Sequence, residues 1–280
     1  NKGSELIHPR RHMYWVDSAL TRKNMYCAEE KSGTSYFNAR EIELAEHLFD
    51  EMNTQVGEWK RDFNRLQQLI ELQQSGEREL SEKETQELLA LMEKQKELEA
   101  NLSHVDRHGT LPVAFITFYR AQKLQFDLKV FAGSSNTTEK RWEHLNVRVD
   151  TVDRFQGAES PIVIVSMVRS APLGKEGQAN LKRLLKQQAP SQNVLVNSNA
   201  NKNQVYISHD FRGFAKSPNR VNVAFSRAQN LLIVLGNRWA WNGVKVNIKR
   251  DDGERERFAY YKQLMNNTIR GGKLDGRNLL

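Results

Sequence analysis

Two stretches of the chain are almost purely apolar over the length of a strand, and each is introduced by a polar segment. Residues 151–170 (TVDRFQGAESPIVIVSMVRS) pass from a Gln-Gly turn into Ile162, Val163, Ile164, Val165, Met167 and Val168. That run predicts a strand buried on both faces of a parallel sheet. Residues 230–236 (NLLIVLG) repeat the pattern after a segment of opposite character, residues 219–229 (NRVNVAFSRAQ). On a helix, Arg220 and Arg227 in that segment stand about two turns apart on one face, making a cationic, polar face directed at some partner. A third apolar run, Val113 to Phe118, ends at Tyr119-Arg120-Ala121-Gln122, which opens the following helix, and residues 12–17 (HMYWVD) read as a first short strand. In doubly wound sheets the carboxyl ends of the strands face the ligand crevice, which puts Thr117, Tyr119, Arg120 and Gln122 there; the alternative is that Tyr119 is core and Gln122 lies on the helix surface.

Between the first strand and the run at Val113 the period changes to that of helices. Residues 38–53 carry Ile42, Ala45, Leu48 and Phe49 at helical spacing, with Asn38 as the expected cap. Trp59, Phe63, Leu66, Leu69 and Ile70 then form one stripe, Ser75-Gly76 breaks it, and Ser81-Glu82-Lys83-Glu84 is a capping box opening a helix with Leu88, Leu91, Met92 and Leu98. The expectation is an antiparallel helical hairpin at residues 55–104, inserted where a crossover needs only a short loop. Residues 171–212 are expected to form a second, basic excursion, Asn/Ser-rich at 193–203, and a closing helix is expected at about 253–264. Residues 133–146 are a loop with Trp142 beside Lys140 and Arg141, suited either to a single strand or to packing.

The chain of 280 residues is long enough for one large domain or two small ones. Its formal net charge is +8, and the excess is uneven. Residues 55–101 hold seven Lys/Arg against eleven Asp/Glu, a net of −4, so the remainder carries +12. The α/β part is therefore the basic part, as in a polyanion binder or simply a soluble domain. Cys27 is the only cysteine, which excludes an internal disulfide and a Cys-cluster metal site and fits a reducing intracellular compartment, cytoplasm or nucleus/nucleoid. No apolar run reaches bilayer length and no signal-peptide pattern opens the chain, so no membrane partner is expected. The first residue is not Met, and the chain is read as a piece of something longer.

Three stretches in order, ITFYRAQ, TVDRFQGAES and NRVNVAFSRAQ, resemble the TPYxxQ-like, VDxFQGxE and RRxNVAxTRA motifs of the second RecA-like domain of superfamily 1 helicases of the up-frameshift, Dna-two/Nam-seven type. SGTSYFNAREIE at residues 32–43 resembles the start of that domain. The resemblance implies an α/β fold, a RecA-like (P-loop NTPase-type) parallel sheet flanked by helices. The domain would begin over residues 1–54 and resume over 105–280 after the hairpin. It implies that Glu159 contacts the nucleotide, that Gln156 and Gly157 couple the nucleotide site to the nucleic-acid track, and that Thr117, Tyr119, Arg120, Gln122 and Thr151 lie on the track side. Glu41 falls where the family keeps an acid, and the resemblance implies that it joins Gln156, Gly157 and Glu159 in binding the nucleotide cofactor, although a first-turn glutamate is also what a helix dipole favours. Ser160-Pro161 replaces a charged pair common in the family.

By the same resemblance Arg227 is the arginine finger, because a guanidinium stays charged and forks across two phosphate oxygens. Arg220 is either a second phosphate ligand or an anchor to an acidic neighbour. No G-x-x-x-x-G-K-[ST] occurs, so ATP with Mg²⁺ would be bound mainly by a first, N-terminal motor domain of the same parent, and the chain alone is expected to be inactive. The expected whole is an ATP-dependent helicase or translocase acting on single-stranded DNA or RNA. A reading from another class is a non-catalytic nucleic-acid-binding or scaffold module working through the hairpin, whose negative charge favours a protein partner.

Overall fold

The computed structural model describes residues 6–7, 12–21, 27–76, 78–131, 141–170, 213, 217–242, 244, 246–249, 255–267 and 273–275. The basic excursion expected at 171–212 lies outside these residues.

The three apolar runs form the centre of a parallel sheet. In chain order the strands and helices are β1 (Met13–Asp17), β2 (Glu30–Ser32), β3 (Ser35–Phe37), α1 (Ala39–Ser75), α2 (Glu82–Leu102), β4 (Leu111–Thr117), α3 (Arg120–Phe131), β5 (Leu145–Thr151) and β6 (Ser160–Ser166). They continue with α4 (Pro218–Phe225), β7 (Ala228–Gly236), α5 (Arg238–Asn242), β8 (Val246–Lys249), β9 (Arg255–Phe258), α6 (Tyr260–Asn267) and β10 (Lys273–Asp275). Among the described residues the main sheet has six strands in the order β10-β1-β7-β6-β4-β5, and every pairing in it is parallel. This is the RecA-like α/β arrangement, with helices on both faces.

Side chains alternate between two cores, as a period of two requires. Val113, Phe115, Ile162, Ile164, Leu231 and Ile233 turn to one face, where Leu48, Phe49 and Met52 of α1 and Phe126 of α3 cover them. Ala114, Ile116, Val163, Val165, Leu232 and Val234 turn to the other, under Val221 and Ala224 of α4, Trp241 of α5 and Tyr261 and Met265 of α6. Burial on both sides explains why these strands show no polar face.

The cap at Asn38 forms: its side chain accepts from the backbone N–H groups of Arg40 and Glu41. The helix it opens is longer than its sequence pattern suggests. Residues 38–53 and the first arm expected from 55 are one uninterrupted helix of 37 residues, ended by Gly76 at φ 65°. The capping box at Ser81 and Glu84 opens α2 as expected. Leu66, Leu69, Leu88 and Leu91 are buried between α1 and α2, and Arg65 bonds Glu87, so the two helices run antiparallel. Met92 is not in this seam, being 51% exposed.

One other expectation is corrected. Where a helix is expected over 253–264, Arg255–Phe258 is a strand paired antiparallel with Val246–Lys249, and the helix starts only at Tyr260. Of the two settings open to Trp142 the structure shows packing: it is core, 3% exposed, with its indole N–H donating to Asp50 Oδ1 at 2.7 Å and Arg141 held by Glu46 at 2.8 Å. No described helix is long and apolar enough to cross a membrane.

Candidate functional site

The residues singled out from the sequence divide between the two ends of the parallel strands. Thr117 and Thr151 are the last residues of β4 and β5 and are paired with each other. Glu159 immediately precedes the first residue of β6, and Arg227 immediately precedes the first residue of β7. Seven-residue strands at ~3.3 Å per residue separate the two ends by roughly 20 Å. Residues 152–159 cross that span, because a parallel connection must return to the starting edge. Val152 and Phe155 anchor the crossing in the core at 3% and 1% exposure, and the Arg148 guanidinium lies 4.6 Å over the Phe155 ring. The alternation leaves Gln156, Gly157 and Glu159 exposed on its outer side. Gly157 has φ 82° with nothing within 4 Å of where a Cβ would stand, so backbone conformation alone is what favours glycine there.

At the starting edge, Ser160 N–H donates to the Arg227 carbonyl at 3.0 Å, which fixes Glu159 and Arg227 on adjacent chains. Ser160 Oγ also donates to the Pro112 carbonyl at 3.1 Å, tying this corner to β4. Glu159 Oε2 accepts from Gln229 Nε2 at 3.2 Å.

Arg227 is not on a helix. Helix α4 stops at Phe225, with Ser226 as its C-cap, so the expectation of one helical face carrying both arginines is corrected. Its Nε donates to the Val223 carbonyl at 3.0 Å and Nη2 to Ser226 Oγ at 3.0 Å, so the guanidinium caps the end of the helix. Nη1 makes no hydrogen bond among the described residues. Arg220 sits further up α4, with Nε 3.1 Å from Asp153 Oδ1. Asp153 is an acidic neighbour of the kind the anchoring role calls for.

At the carboxyl end the picture differs from the expectation. Thr117 and Gln122 are fully buried and Tyr119 is 2% exposed. The Tyr119 ring stands edge-on to Tyr36, and a Cβ on Gly213 would lie 2.1 Å from its hydroxyl oxygen, so in this conformation the ring offers no face to a base. Gln122 accepts from Asn38 N–H at 2.7 Å and donates to Ser166 Oγ at 2.9 Å. Of this group, Arg120 is exposed and Thr151 half-buried.

Gln122 belongs to a buried network that spacing alone does not show. Glu41, fully buried, receives Ser166 Oγ at 2.6 Å, Val168 N–H at 2.9 Å and Ser18 Oγ at 3.1 Å. Burial pushes its carboxyl up to about 7, against the pull of the bonds from Ser166, Val168 and Ser18. Val168, the residue it holds, has φ 63°, an uncommon conformation for a β-branched side chain that a surrounding network must impose. Glu41 thus fastens the first turn of α1 to the carboxyl ends of the sheet, and its carboxylate faces inward.

The order of residues at the starting edge, the crossing and α4 all fall within the part of the chain, residues 58–239, that matches the AAA domain family. The chain belongs to the AAA domain family. The match covers well over half of the 280 residues and runs from within α1 to α5. This AAA domain is of the kind typical of up-frameshift-like superfamily 1 helicases, a helicase-like, ATP-dependent nucleotide-hydrolase type. No curated protein matches the chain. Glu41 and Asn38 lie before the matched part of the AAA domain, and Gln156, Gly157, Glu159, Arg220 and Arg227 lie within it.

The donor set at the starting edge suits a nucleotide. Among the described residues Arg227 Nη1 and one Glu159 oxygen have no hydrogen-bond partner; a guanidinium so placed is a phosphate partner, and such a carboxylate accepts from hydroxyl groups. Among the described residues no group of three or more His, Cys, Asp or Glu side chains gathers that could hold a metal ion.

Proposed function

We propose that this AAA domain is the second motor domain of an ATP-dependent helicase or translocase. In this reading Arg227 is the arginine finger and Glu159 a nucleotide contact, and a first motor domain supplies the phosphate-cradling loop and the Mg²⁺ ligands. The single observation that supports it most is the bond from Ser160 N–H to the Arg227 carbonyl, which brings the guanidinium and the Glu159 carboxylate to one edge of the sheet.

Bound ATP supplies a γ-phosphate around which negative charge develops as hydrolysis proceeds. The work of this chain is electrostatic and positional. Arg227 leaves its cap on α4, giving up its bonds to the Val223 carbonyl and the Ser226 hydroxyl, and directs its fork at the phosphate oxygens. Glu159 orients the rest of the nucleotide. Residues 152–159 join this edge to Thr151 at the other, roughly 20 Å away, and Asp153 ties that crossing to Arg220 of α4. A shift at the nucleotide edge therefore reaches the carboxyl edge through one short, core-anchored segment. Arg120 and Thr151, the members of the predicted track group that reach the surface, are the proposed contacts for a single strand, holding phosphate and sugar without reading sequence.

ATP hydrolysis by the full-length protein, with and without single-stranded DNA or RNA, tests the reading. Strand-stimulated turnover that drops about a thousandfold in Arg227→Ala is expected. Strand binding with no turnover in the native protein would overturn it in favour of a binding or scaffold module.

A further inference from the structure

We propose that Gln229 is a positioning residue of the nucleotide site, aiming the Glu159 carboxylate; the inference rests on the reading of Arg227 and Glu159 just given. The ladder between β6 and β7 carries an irregularity at this corner. Ser160 faces Ala228, but the next aligned pair is Ile162 with Leu231, so two residues of β7, Gln229 and Asn230, stand against one of β6, Pro161. Proline has no N–H to give to a ladder, which accounts for the break falling here. A bulge of this kind bends the strand and re-aims the side chains of the residues it frees.

The two freed residues take different partners. Gln229 Nε2 donates to Glu159 Oε2 at 3.2 Å, across the corner that Ser160 and Arg227 join through the backbone. Asn230 Nδ2 instead meets His104 Nε2 at 3.0 Å, beyond the end of α2, and its carbonyl meets His12 Nδ1 at 3.2 Å. Glutamate carries a long, rotatable side chain, and at an exposed corner nothing in its own rotamers selects one direction. The amide of Gln229 selects it, holding Oε2 and leaving Oε1 to a hydroxyl of the nucleotide. Because Gln229 lies two residues after Arg227, the finger and the carboxylate share one rigid reference, the start of β7.

The experiment measures steady-state ATP hydrolysis by the full-length protein with saturating single strand, for Gln229→Ala, Gln229→Glu, Asn230→Ala and Arg227→Ala. Gln229→Ala is expected to raise the KM for ATP about fivefold with kcat within about twofold, the loss expected when one orienting hydrogen bond is removed and the carboxylate must be ordered on binding. Gln229→Glu sets a second carboxylate against Glu159 and is expected to raise the KM further. Asn230→Ala, on the same bulge but bonded to His104, is expected to change neither constant. An unchanged KM in Gln229→Ala overturns the inference, and so does an equal rise in Asn230→Ala, which would assign the effect to the bulge rather than to the carboxylate. Arg227→Ala separates the two levels. If it abolishes turnover while Gln229→Ala leaves the KM alone, only the role of Gln229 falls; if Arg227→Ala hydrolyses normally, or the native protein shows no turnover, the site reading falls with it.

Discussion

Glu41→Gln is the substitution whose effect follows most directly from the structure. The folded carboxyl titrates near 7 against an ordinary 4.5, because desolvation outweighs the bonds from Ser166, Val168 and Ser18. Below pH 4.5 the group is protonated in both states and contributes no difference. Between 4.5 and 7 the unfolded chain releases the proton while the folded chain keeps it, so stability falls as pH rises. Above 7 the loss is complete and amounts to the full shift, on the order of 3 kcal/mol. Glutamine keeps the shape and most of the network: its oxygen accepts from Val168 N–H and Ser166 Oγ, and its amide donates to Ser18 Oγ. It does not titrate. The stability of Glu41→Gln relative to the native chain is therefore expected to rise by about 3 kcal/mol from pH 4.5 to pH 8, read from urea midpoints and slopes at half-unit steps. The comparison cancels groups such as Glu84, which the Arg78 guanidinium holds below the ordinary carboxylate range and whose contribution is lost only in acid. A difference between the two proteins that stays flat from pH 4.5 to 8 would refute the assignment of a buried, proton-holding Glu41.

Gly57→Ala should destabilise the fold even though alanine is the better helix former by about 1 kcal/mol, because its Cβ would fall 2.7 Å from His144 Cδ2 and 2.8 Å from Nε2; thermal unfolding is expected to show a net loss of about 1–2 kcal/mol. Leu66→Ala empties a fully buried position between α1 and α2 and should cost about 2–4 kcal/mol, seen by hydrogen exchange as faster opening of that seam, with the parallel strands protected as before. Arg220→Ala removes an anchor rather than a finger, so kcat should fall by no more than about tenfold, and Asp153→Ala should reproduce the fall.

The features legible in the sequence are those set by neighbours along the chain. The apolar runs of β4, β6 and β7 announce a sheet covered on both faces, and Asn38, Gly76 and the Ser81–Glu84 pair announce helix ends by chemistry that acts within four residues. What was not legible depends on contacts far apart in sequence. Glu41 and Ser166 lie 125 residues apart, and nothing in the spacing of either shows that one closes on the other. Thr117, Tyr119 and Gln122 carry the polar types of a binding surface, yet packing against β3 and the start of α1 turns them inward. The end of α4 at Phe225 was hidden because Ser226 and Arg227 suit a helix as well as a turn; the backbone pairing of Ser160 with Arg227 decides it. The separation of Thr117 and Thr151 from Glu159 and Arg227 likewise follows from strand direction, which motif order alone does not reveal.

Arg227 is proposed to meet the charge that develops during hydrolysis. Single-turnover cleavage of ATP by the full-length protein, with strand bound, isolates that step from binding and release. Arg227→Ala and Arg227→Lys are both expected to slow cleavage by about a thousandfold while ATP still binds within a few-fold of normal, since lysine cannot reproduce the fork. Cleavage at the native rate in either variant would contradict the account.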